Sequence, residues 1–419
     1  MILPAPGPCE DRGMPMTPGA GEKPPKVFTP PFLLLCLFYF AVFAVGYQLF
    51  PVVPLHLRNL GADLAESGRF MASFTLGSAI GCLFTGPLGD RVGQRRVLYV
   101  ASFLMVAFFA AYAFIQAPAH RWVFYVLAPF HGLVWSGLRT ASVAKAGSML
   151  TPGTRAEGLS FFGMSSPSGV ALGPILGLLL FAALGFRGQM LVLGAGFLAL
   201  SALIRFLPGE TGAELRKDAA FQLPERLVWL PVVILFLVGV SFGPIPPFSA
   251  QEAKFLHMAW PSAMLTSLAA GMVGLRLLLG VTGMGRRPIR LLGPMVWMAL
   301  AGMALLALLP GGVLRHAAGG ALYGAGYAMT HTLLFMVIID RSRADRRGAG
   351  VGALYFAYDA GQAAGAFGLG WAMEHIGRSV GLAGGYRWGW GLGGLALLCC
   401  LPLAALVMRP GKDSPHQHK

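Results

Sequence analysis

Charged residues are scarce in this sequence. Asp, Glu, Lys and Arg make up only 12% of its 419 residues, and 56% of the residues are hydrophobic. About a quarter of an ordinary soluble domain is charged, so this composition excludes a soluble globular protein. The chain also has no GxxxxGK[ST] run to hold nucleotide phosphates, and ATP is therefore not the expected energy source.

Cysteines are few and widely spread. None has the spacing of a metal site, so we expect free thiols, no zinc and no cofactor. The five are Cys9, Cys36, Cys82, Cys399 and Cys400. No basic segment leads into a short apolar stretch with a cleavage site, so the sequence predicts no signal peptide.

Long apolar runs dominate the rest of the chain. They reach the roughly 20 residues that a helix needs to cross a bilayer. Because lipid offers no partner for backbone N–H and C=O groups, such runs are predicted to be helices. We predict an all-α polytopic membrane protein with twelve spans, at 32–55, 68–88, 97–117, 123–147, 158–183, 188–207, 228–248, 263–282, 290–309, 315–339, 349–373 and 386–408.

The polar stretches divide the chain into domains. Residues 1–31 are rich in Pro and Gly, which predicts a disordered tail. Two six-helix bundles are predicted at 32–207 and 228–408, joined by a charged linker at 208–227, and residues 409–419 form a second tail.

The net charge of +15 is distributed unevenly. Most of the 32 Lys and Arg residues fall in loops on one side of the predicted membrane. By the positive-inside rule that side is cytoplasmic, and both termini lie there. We therefore interpret the basic balance as the topology of a bacterial inner-membrane protein in contact with lipid, and we expect no nucleic-acid partner.

A constant offset of 192 residues relates the two halves. Gly132 recurs as Gly324, Gly169 as Gly361 and Gly173 as Gly365. An ungapped repeat of this length predicts two pseudo-symmetric bundles in parallel orientation, with a binding site between them.

The loop after the second span carries the most specific motif, GPLGDRVGQRR. It comprises Gly86, Gly89, Asp90, Arg91, Gly93, Arg95 and Arg96. This run resembles the cytoplasmic signature G-x-L-a-D-R-x-G-R-R of the major facilitator superfamily, and the resemblance extends over nearly the whole chain. It implies a conformational latch that holds the second span against the eleventh. The alternative is a simple topology anchor. In the second copy Thr282 stands where Asp90 does, so a strong latch is expected only in the first half.

A second motif lies in the fifth span. Gly169, Gly173 and Gly177 recur every four residues and leave one helix face without side chains, while Pro174 interrupts the backbone ladder. The run resembles the G-x-x-x-G-P-x-x-G-G element of the family's antiporters, with Leu178 in place of the last glycine. The resemblance implies a helix bend and favours export. Ordinary close helix packing is the alternative.

Polar side chains at membrane depth are the candidates for the substrate site, because each is costly without a partner or a task. His131, Trp135 and Arg139 lie four residues apart in the fourth span, and the offset turns them into Tyr323, Tyr327 and His331 in the tenth. The family lines its cavity with the first, fourth, seventh and tenth spans, which implies that the two stripes face each other. The first span would add Tyr39, Phe43, Tyr47 and Gln48.

These residues predict an aromatic pocket for an amphipathic organic molecule. Each also has an alternative role. Arg139 could snorkel to the interface or pair with a carboxylate, His331 could bond across two helices, and the tyrosines could be packing. Arg276 in the eighth span is expected to snorkel to the cytoplasmic end.

Asp359 is the one acidic residue that the predicted boundaries place well inside a span. Burial in an apolar medium disfavours the charged carboxylate, so Asp359 is the candidate for carrying the coupled proton. A structural bond to neighbouring helices is the alternative. One departure from the family bears on coupling: its drug–proton antiporters often have an arginine where this chain has Ala128, four residues before Gly132.

Together these features predict a monomeric secondary transporter that exports a small organic molecule in exchange for protons. Proton-coupled uptake of a sugar, organic acid or other metabolite is the second hypothesis. A uniporter and a transport-inactive sensor or scaffold are further alternatives. No nucleophile–base pair is visible at depth, so an enzyme is not expected.

Overall fold

The structure is a computed structural model that describes residues 27–151, 153–210, 225–282, 288–342 and 347–408. Most of the predicted tails and linker therefore lie outside the described residues. Within these ranges the chain is helical, without β-strands. The α-helices are α1 (Pro30–Gly46), α2 (Leu49–Asn59), α3 (Leu64–Val92), α4 (Gln94–Ala113), α5 (Trp122–Ser148), α6 (Arg155–Phe162), α7 (Ser165–Ile204), α8 (Trp229–Phe242), α9 (Ile245–Phe255), α10 (Ala263–Thr282), α11 (Leu292–Leu308), α12 (Val313–Arg341), α13 (Arg347–Val380) and α14 (Leu382–Met408).

These helices form the twelve spans of the predicted fold. α1 joins α2, and α8 joins α9, to make the first and seventh spans. The 40-residue α7 supplies two spans, because Gly185 breaks it with φ 65°, a left-handed conformation that favours glycine. In the described chain, eight helical segments meet the length and hydropathy of a membrane span; α5, α10 and α13 are not among them. Of these three helices, α5 and α13 carry the central charges described below.

Some boundaries differ from the predicted ones. The fifth span begins at Ser165, because residues 155–162 form the separate short helix α6. The seventh continues to Phe255 instead of ending at 248, and the eleventh extends over Arg347–Val380. An apolar run marks only the lipid-facing length of a helix. α9 therefore continues past it through the buried polar residues Gln251 and Glu252, and α13 through residues that are partly exposed.

The two halves repeat the same close contacts between helices. Gly132 of α5 lies against the carbonyl oxygen of Phe74 in α3, where a Cβ would overlap it. Gly324 of α12 lies in the same way against Leu268 of α10. Each half encloses its own hydrophobic core. The offset of 192 residues thus corresponds to two bundles of the same design.

The halves meet tightly at one end. We call the end that carries Arg91, Arg95 and Arg96 the basic face, and the other end the opposite face. At the opposite face α2 packs against α9, and nearly all residues of both helices are buried. The backbone N–H of Leu64 donates to a carboxylate oxygen of Glu374 at 3.2 Å between the halves. The structure is therefore closed at the opposite face.

Candidate functional site

An ion pair joins the two halves at the centre of the molecule. Both Nη atoms of Arg139 in α5 donate to the carboxylate of Asp359 in α13, one of them at 3.1 Å. Arg139 is 6% exposed and Asp359 only 2%. A bidentate guanidinium–carboxylate pair is among the strongest polar contacts in proteins. Two residues proposed from the sequence for separate roles are thus bonded to each other.

Further groups surround this pair. The Ser78 hydroxyl of α3 donates to Asp359 at 2.7 Å, and Arg139 also donates to the Cys82 sulfur at 3.0 Å. The ring of Tyr355 in α13 lies 4.3 Å from the guanidinium carbon, a cation–π contact. Nε of Arg139 has no hydrogen-bond partner among the described residues. The pair is therefore well enclosed, with one buried donor left over.

Aromatic rings from the first half line one side of this centre. The ring centroids of Tyr39 and Phe43 in α1 are 4.9 Å apart, and that of Tyr47, directly after α1, lies 5.6 Å from Phe43. Trp135 of α5 lies 5.1 Å from Phe43. Tyr39 faces Tyr355 of α13, and Tyr47 interacts electrostatically with Tyr327 of α12. These residues meet the second half of the molecule, as a site between the halves requires.

The second half contributes a tyrosine pair and a histidine. The hydroxyls of Tyr327 in α12 and Tyr358 in α13 are hydrogen-bonded. The ring of His331 lies 5.1 Å from Tyr358. Tyr355 and Tyr358 were missing from the sequence-derived site. Both tyrosines lie within four residues of Asp359 on α13. This closeness to Asp359 is the one feature of the sequence that could have indicated them as site residues.

The first members of the two stripes face away from the centre. His131 contacts the Tyr112 hydroxyl at 3.2 Å and the Met105 sulfur at 3.0 Å inside the first bundle. Tyr323, its counterpart, is fully buried beside Gly302 of α11. Residues four apart turn by about 40° on a helix, so the first and third members of each stripe point about 80° apart. His131 and Tyr323 are therefore placed within their own bundles.

Gln48 also faces the interior of its own half. Its side-chain oxygen accepts from Gln189 at 3.2 Å, and Gln189 donates as well to the carbonyl of Gly177. Gln48 thus ties the break between α1 and α2 to α7.

The glycine stripe of α7 lies directly on α1. A Cβ at Gly169 would come within 2.5 Å of the Phe40 carbonyl oxygen, and one at Gly173 within 2.9 Å of that of Ala44. Gly177 meets Gln48 in the same way. In the second half Gly361 and Gly365 pack against α8. Through close packing the stripe therefore positions α1, which carries Tyr39, and Tyr47 directly after it. A specific role of Pro174 in bending remains a prediction.

The loop of the GPLGDRVGQRR motif is a tight turn. Gly93 has φ 98° between α3 and α4, and Asp90 accepts a hydrogen bond from Gln94 at 3.0 Å. Glu210 accepts from the backbone N–H of Arg95 at 3.2 Å and from Lys145 of α5 at 2.8 Å. These contacts join the loop to its own bundle. α3 itself packs along α13, and the latch between these spans stays a prediction.

The structure has a second buried cluster of charged residues, which the sequence analysis did not predict. Glu252 of α9 binds Arg315 and His316 of α12 and accepts from the Trp390 indole at 2.8 Å. All four side chains are essentially inaccessible to solvent. Glu252 lies beyond the predicted end of the seventh span, so it was assigned to a loop. The cluster ties α9 to α12 and α14 within the second half, near the opposite face.

Comparisons with known proteins agree with this architecture. A family model described as Major Facilitator Superfamily matches residues 32–366. The multidrug resistance protein MdtG of Enterobacter lignolyticus is 25% identical over 212 residues, which cover 49% of this chain and 47% of MdtG. The chain thus aligns with less than half of that relative's length.

Two solved structures resemble nearly the entire chain. The human organic anion transporter MFSD10 superposes with a TM-score of 0.67 at 15% identity, covering 90% of this chain and all of that one. The nucleoside transporter NupG, solved as a point mutant, gives 0.71 at 12% identity, with the same coverage. At these identities the likeness shows the fold.

Proposed function

The chain belongs to the major facilitator superfamily, and from this premise we propose that it exports a small amphipathic organic molecule in exchange for protons. As a member of that family it is a secondary transporter and not an enzyme. We propose three further properties: the direction of transport, the coupling ion and the class of substrate. The observation that carries the proposal is the ion pair between Arg139 and Asp359, because it joins the two halves at membrane depth.

A proton and Arg139 compete for the same carboxylate. Deprotonated Asp359 binds Arg139 and holds α13 against α5, whereas protonation of Asp359 removes the charge that the guanidinium binds. A substrate group that binds Arg139 would release Asp359 as well. Breaking a buried pair of this kind costs about 3–5 kcal/mol. That is enough to decide which conformation dominates.

This competition favours exchange over cotransport. An antiporter must change conformation when it carries either a proton or its substrate, and must not do so when it carries neither. An ion pair that pins the empty, deprotonated carrier meets this requirement. A symporter has the reverse need, because its empty form must return across the membrane.

The direction is proposed from the charges and the helix packing. We place the basic face in the cytoplasm of a bacterial inner membrane, by the positive-inside rule. The structure is then the state that is closed to the outside. The stripe on α7 resembles the antiporter element, and MdtG is named as a multidrug resistance protein. Uptake is the second candidate, since NupG is named as a nucleoside transporter.

Proton exchange can be measured directly in proteoliposomes. Purified protein is reconstituted with a pH-sensitive dye trapped inside, and amphipathic dyes of each charge are added outside. We expect an inward-moving substrate to drive protons outward in the wild type. In Asp359→Asn the substrate still exchanges across the membrane, but no proton movement accompanies it.

Three results would decide against the proposal. Protons moving in the same direction as the substrate identify a symporter. Proton-driven transport at full rate in Asp359→Asn removes the role of this carboxyl group. A protein that responds to no compound in the series is a sensor or scaffold. A Glu374→Gln variant serves as the control, because that carboxylate also joins the halves but lies at the opposite face.

A further inference from the structure

We propose that the substrate is an organic anion and that Arg276, together with His331, binds its acidic group. This inference rests on the proposed transport function and names the substrate class of the same site. It starts from the half-buried guanidinium of Arg276, which the ion pair does not use.

Arg276 does not reach the basic face, contrary to the snorkelling expected from the sequence. Its Nη2 donates to the Thr332 hydroxyl of α12 at 2.9 Å. Thr332 lies nine residues before Arg341, where α12 ends, which is about 13–14 Å along the helix axis. The guanidinium is therefore directed across to α12, at a position about 13–14 Å along the axis from the end of that helix.

The charge of Arg276 has no acidic partner in the described part of the chain. Asp359 is bound by Arg139, and Glu252 by Arg315 and His316. A lone hydroxyl does not compensate a guanidinium in an environment of low dielectric constant. The central region thus has one more fixed cation than it has carboxylates.

Neighbouring donors converge on the same place. Arg276 interacts electrostatically with His331 and Tyr327. Neither ring nitrogen of His331 has a hydrogen-bond partner among the described residues, and the ring lies 5.1 Å from Tyr358. Guanidinium, imidazole and phenol groups from α10, α12 and α13 therefore face one region. This set of donors suits a carboxylate or sulfonate, which a guanidinium can bind with two parallel hydrogen bonds.

The same arrangement excludes a cationic substrate. At distances of a few ångströms, like charges repel strongly at the dielectric constant of a partly buried site. An anion, by contrast, neutralises Arg276 and can also compete with Asp359 for Arg139. The rings of Tyr47, Trp135 and Tyr327 would contact an aromatic body. The expected substrate is an aromatic or amphipathic molecule with one acidic group.

Two dyes with the same ring system and opposite charge test this inference. Fluorescein is an anion and rhodamine 123 a cation, and both contain a xanthene core. Binding to the purified full-length protein is measured by fluorescence anisotropy, and exchange is measured in proteoliposomes. We expect the wild type to bind and move fluorescein at least about tenfold better than rhodamine 123.

Variants of Arg276 test whether the positive charge of this side chain or its shape is needed for binding. Arg276→Gln is expected to weaken fluorescein binding at least about tenfold, and Arg276→Lys to restore part of the affinity. Rhodamine 123 binding should rise or stay unchanged in Arg276→Gln. Arg387→Gln is the matched control, because Arg387 is exposed and bonds only to backbone carbonyls at the end of α11.

The contrary results are distinct from those of the transport test. Equal or better transport of rhodamine 123 by the wild type, or no fluorescein binding, overturns the anion site while proton exchange with other compounds would still stand. Equal loss of both dyes in Arg276→Gln also overturns it, because that pattern indicates a damaged fold. A chain that moves no compound at all defeats the transport proposal instead.

Discussion

The fourth and tenth spans are copies of each other, yet they place different chemistry at the centre of the molecule. In α5 the stripe ends in Arg139, and in α12 it ends in His331. The first members of the stripes, His131 and Tyr323, turn into their own bundles in both halves. The duplication has thus kept the packing and changed the groups that meet between the bundles.

The difference shows how the two halves divide their charges. The first half contributes the cation Arg139, and the second contributes both its partner Asp359 and the further cation Arg276. Arg139 and Asp359 can pair only when the halves are together, and Arg276 then remains as one cation in excess. In the proposed mechanism, a proton or a substrate anion changes these charges and with them the contact between the bundles.

The largest difference between the halves is expected at the ends of the two stripes. Arg139→Gln leaves Asp359 buried without its partner and should cost about 3–5 kcal/mol of stability. His331→Gln at the matching position should cost no more than about 1 kcal/mol, because His331 has no hydrogen-bond partner in the described structure. Denaturant unfolding of the purified protein in detergent compares the two.

The control for this prediction compares the single variants Arg139→Gln and Asp359→Asn with the double variant that carries both changes. If the two side chains act as a pair, the double variant loses clearly less than the sum of the single losses. Strict additivity, or equal losses for Arg139→Gln and His331→Gln, would show that the ion pair does not stabilise this state.

The glycine stripes should differ by a smaller amount. Gly173→Ala places a Cβ 2.9 Å from the Ala44 carbonyl oxygen, and Gly365→Ala places one closer still to that of Val240. Overpacking costs about 1–3 kcal/mol, so we expect both to lower the thermal midpoint in detergent, with Gly365→Ala the more harmful. Gly352→Ala, whose Cβ would meet no atom within 4 Å, is the control. A larger effect at Gly173 would contradict the packing described here.

The smallest effect is expected at the hydroxyl pair of the second half. Trp135, the counterpart of Tyr327, has no hydroxyl, so this bond exists on one side only. Tyr327→Phe should cost about 1 kcal/mol, and so should Tyr358→Phe. The double variant should lose little more unfolding free energy than either single variant loses. Two independent, additive losses would mean that the hydroxyls bond elsewhere.

Much of the fold follows from the sequence, because span length and the 192-residue offset report directly on bilayer thickness and duplication. The residues of the centre were recognisable as rare polar groups inside apolar runs. The bond between Arg139 and Asp359 was not predictable, since 220 positions separate the partners and only the docking of the bundles joins them. Glu252 was missed because α9 continues past the apolar run.

In the proposed mechanism, deprotonated Asp359 holds the empty carrier closed at the opposite face. The most direct test attaches spin labels at Asn59→Cys and Phe255→Cys, at the exposed ends of α2 and α9, in a background without native cysteines. Distances are then measured without substrate across a range of pH. We predict that the wild type shows the short distance at high pH and gains a longer one as pH falls. Asp359→Asn should show the longer distance at every pH. If the distances change with pH equally in both proteins, or if Asp359→Asn stays closed throughout, protonation of Asp359 does not control the contact between the halves.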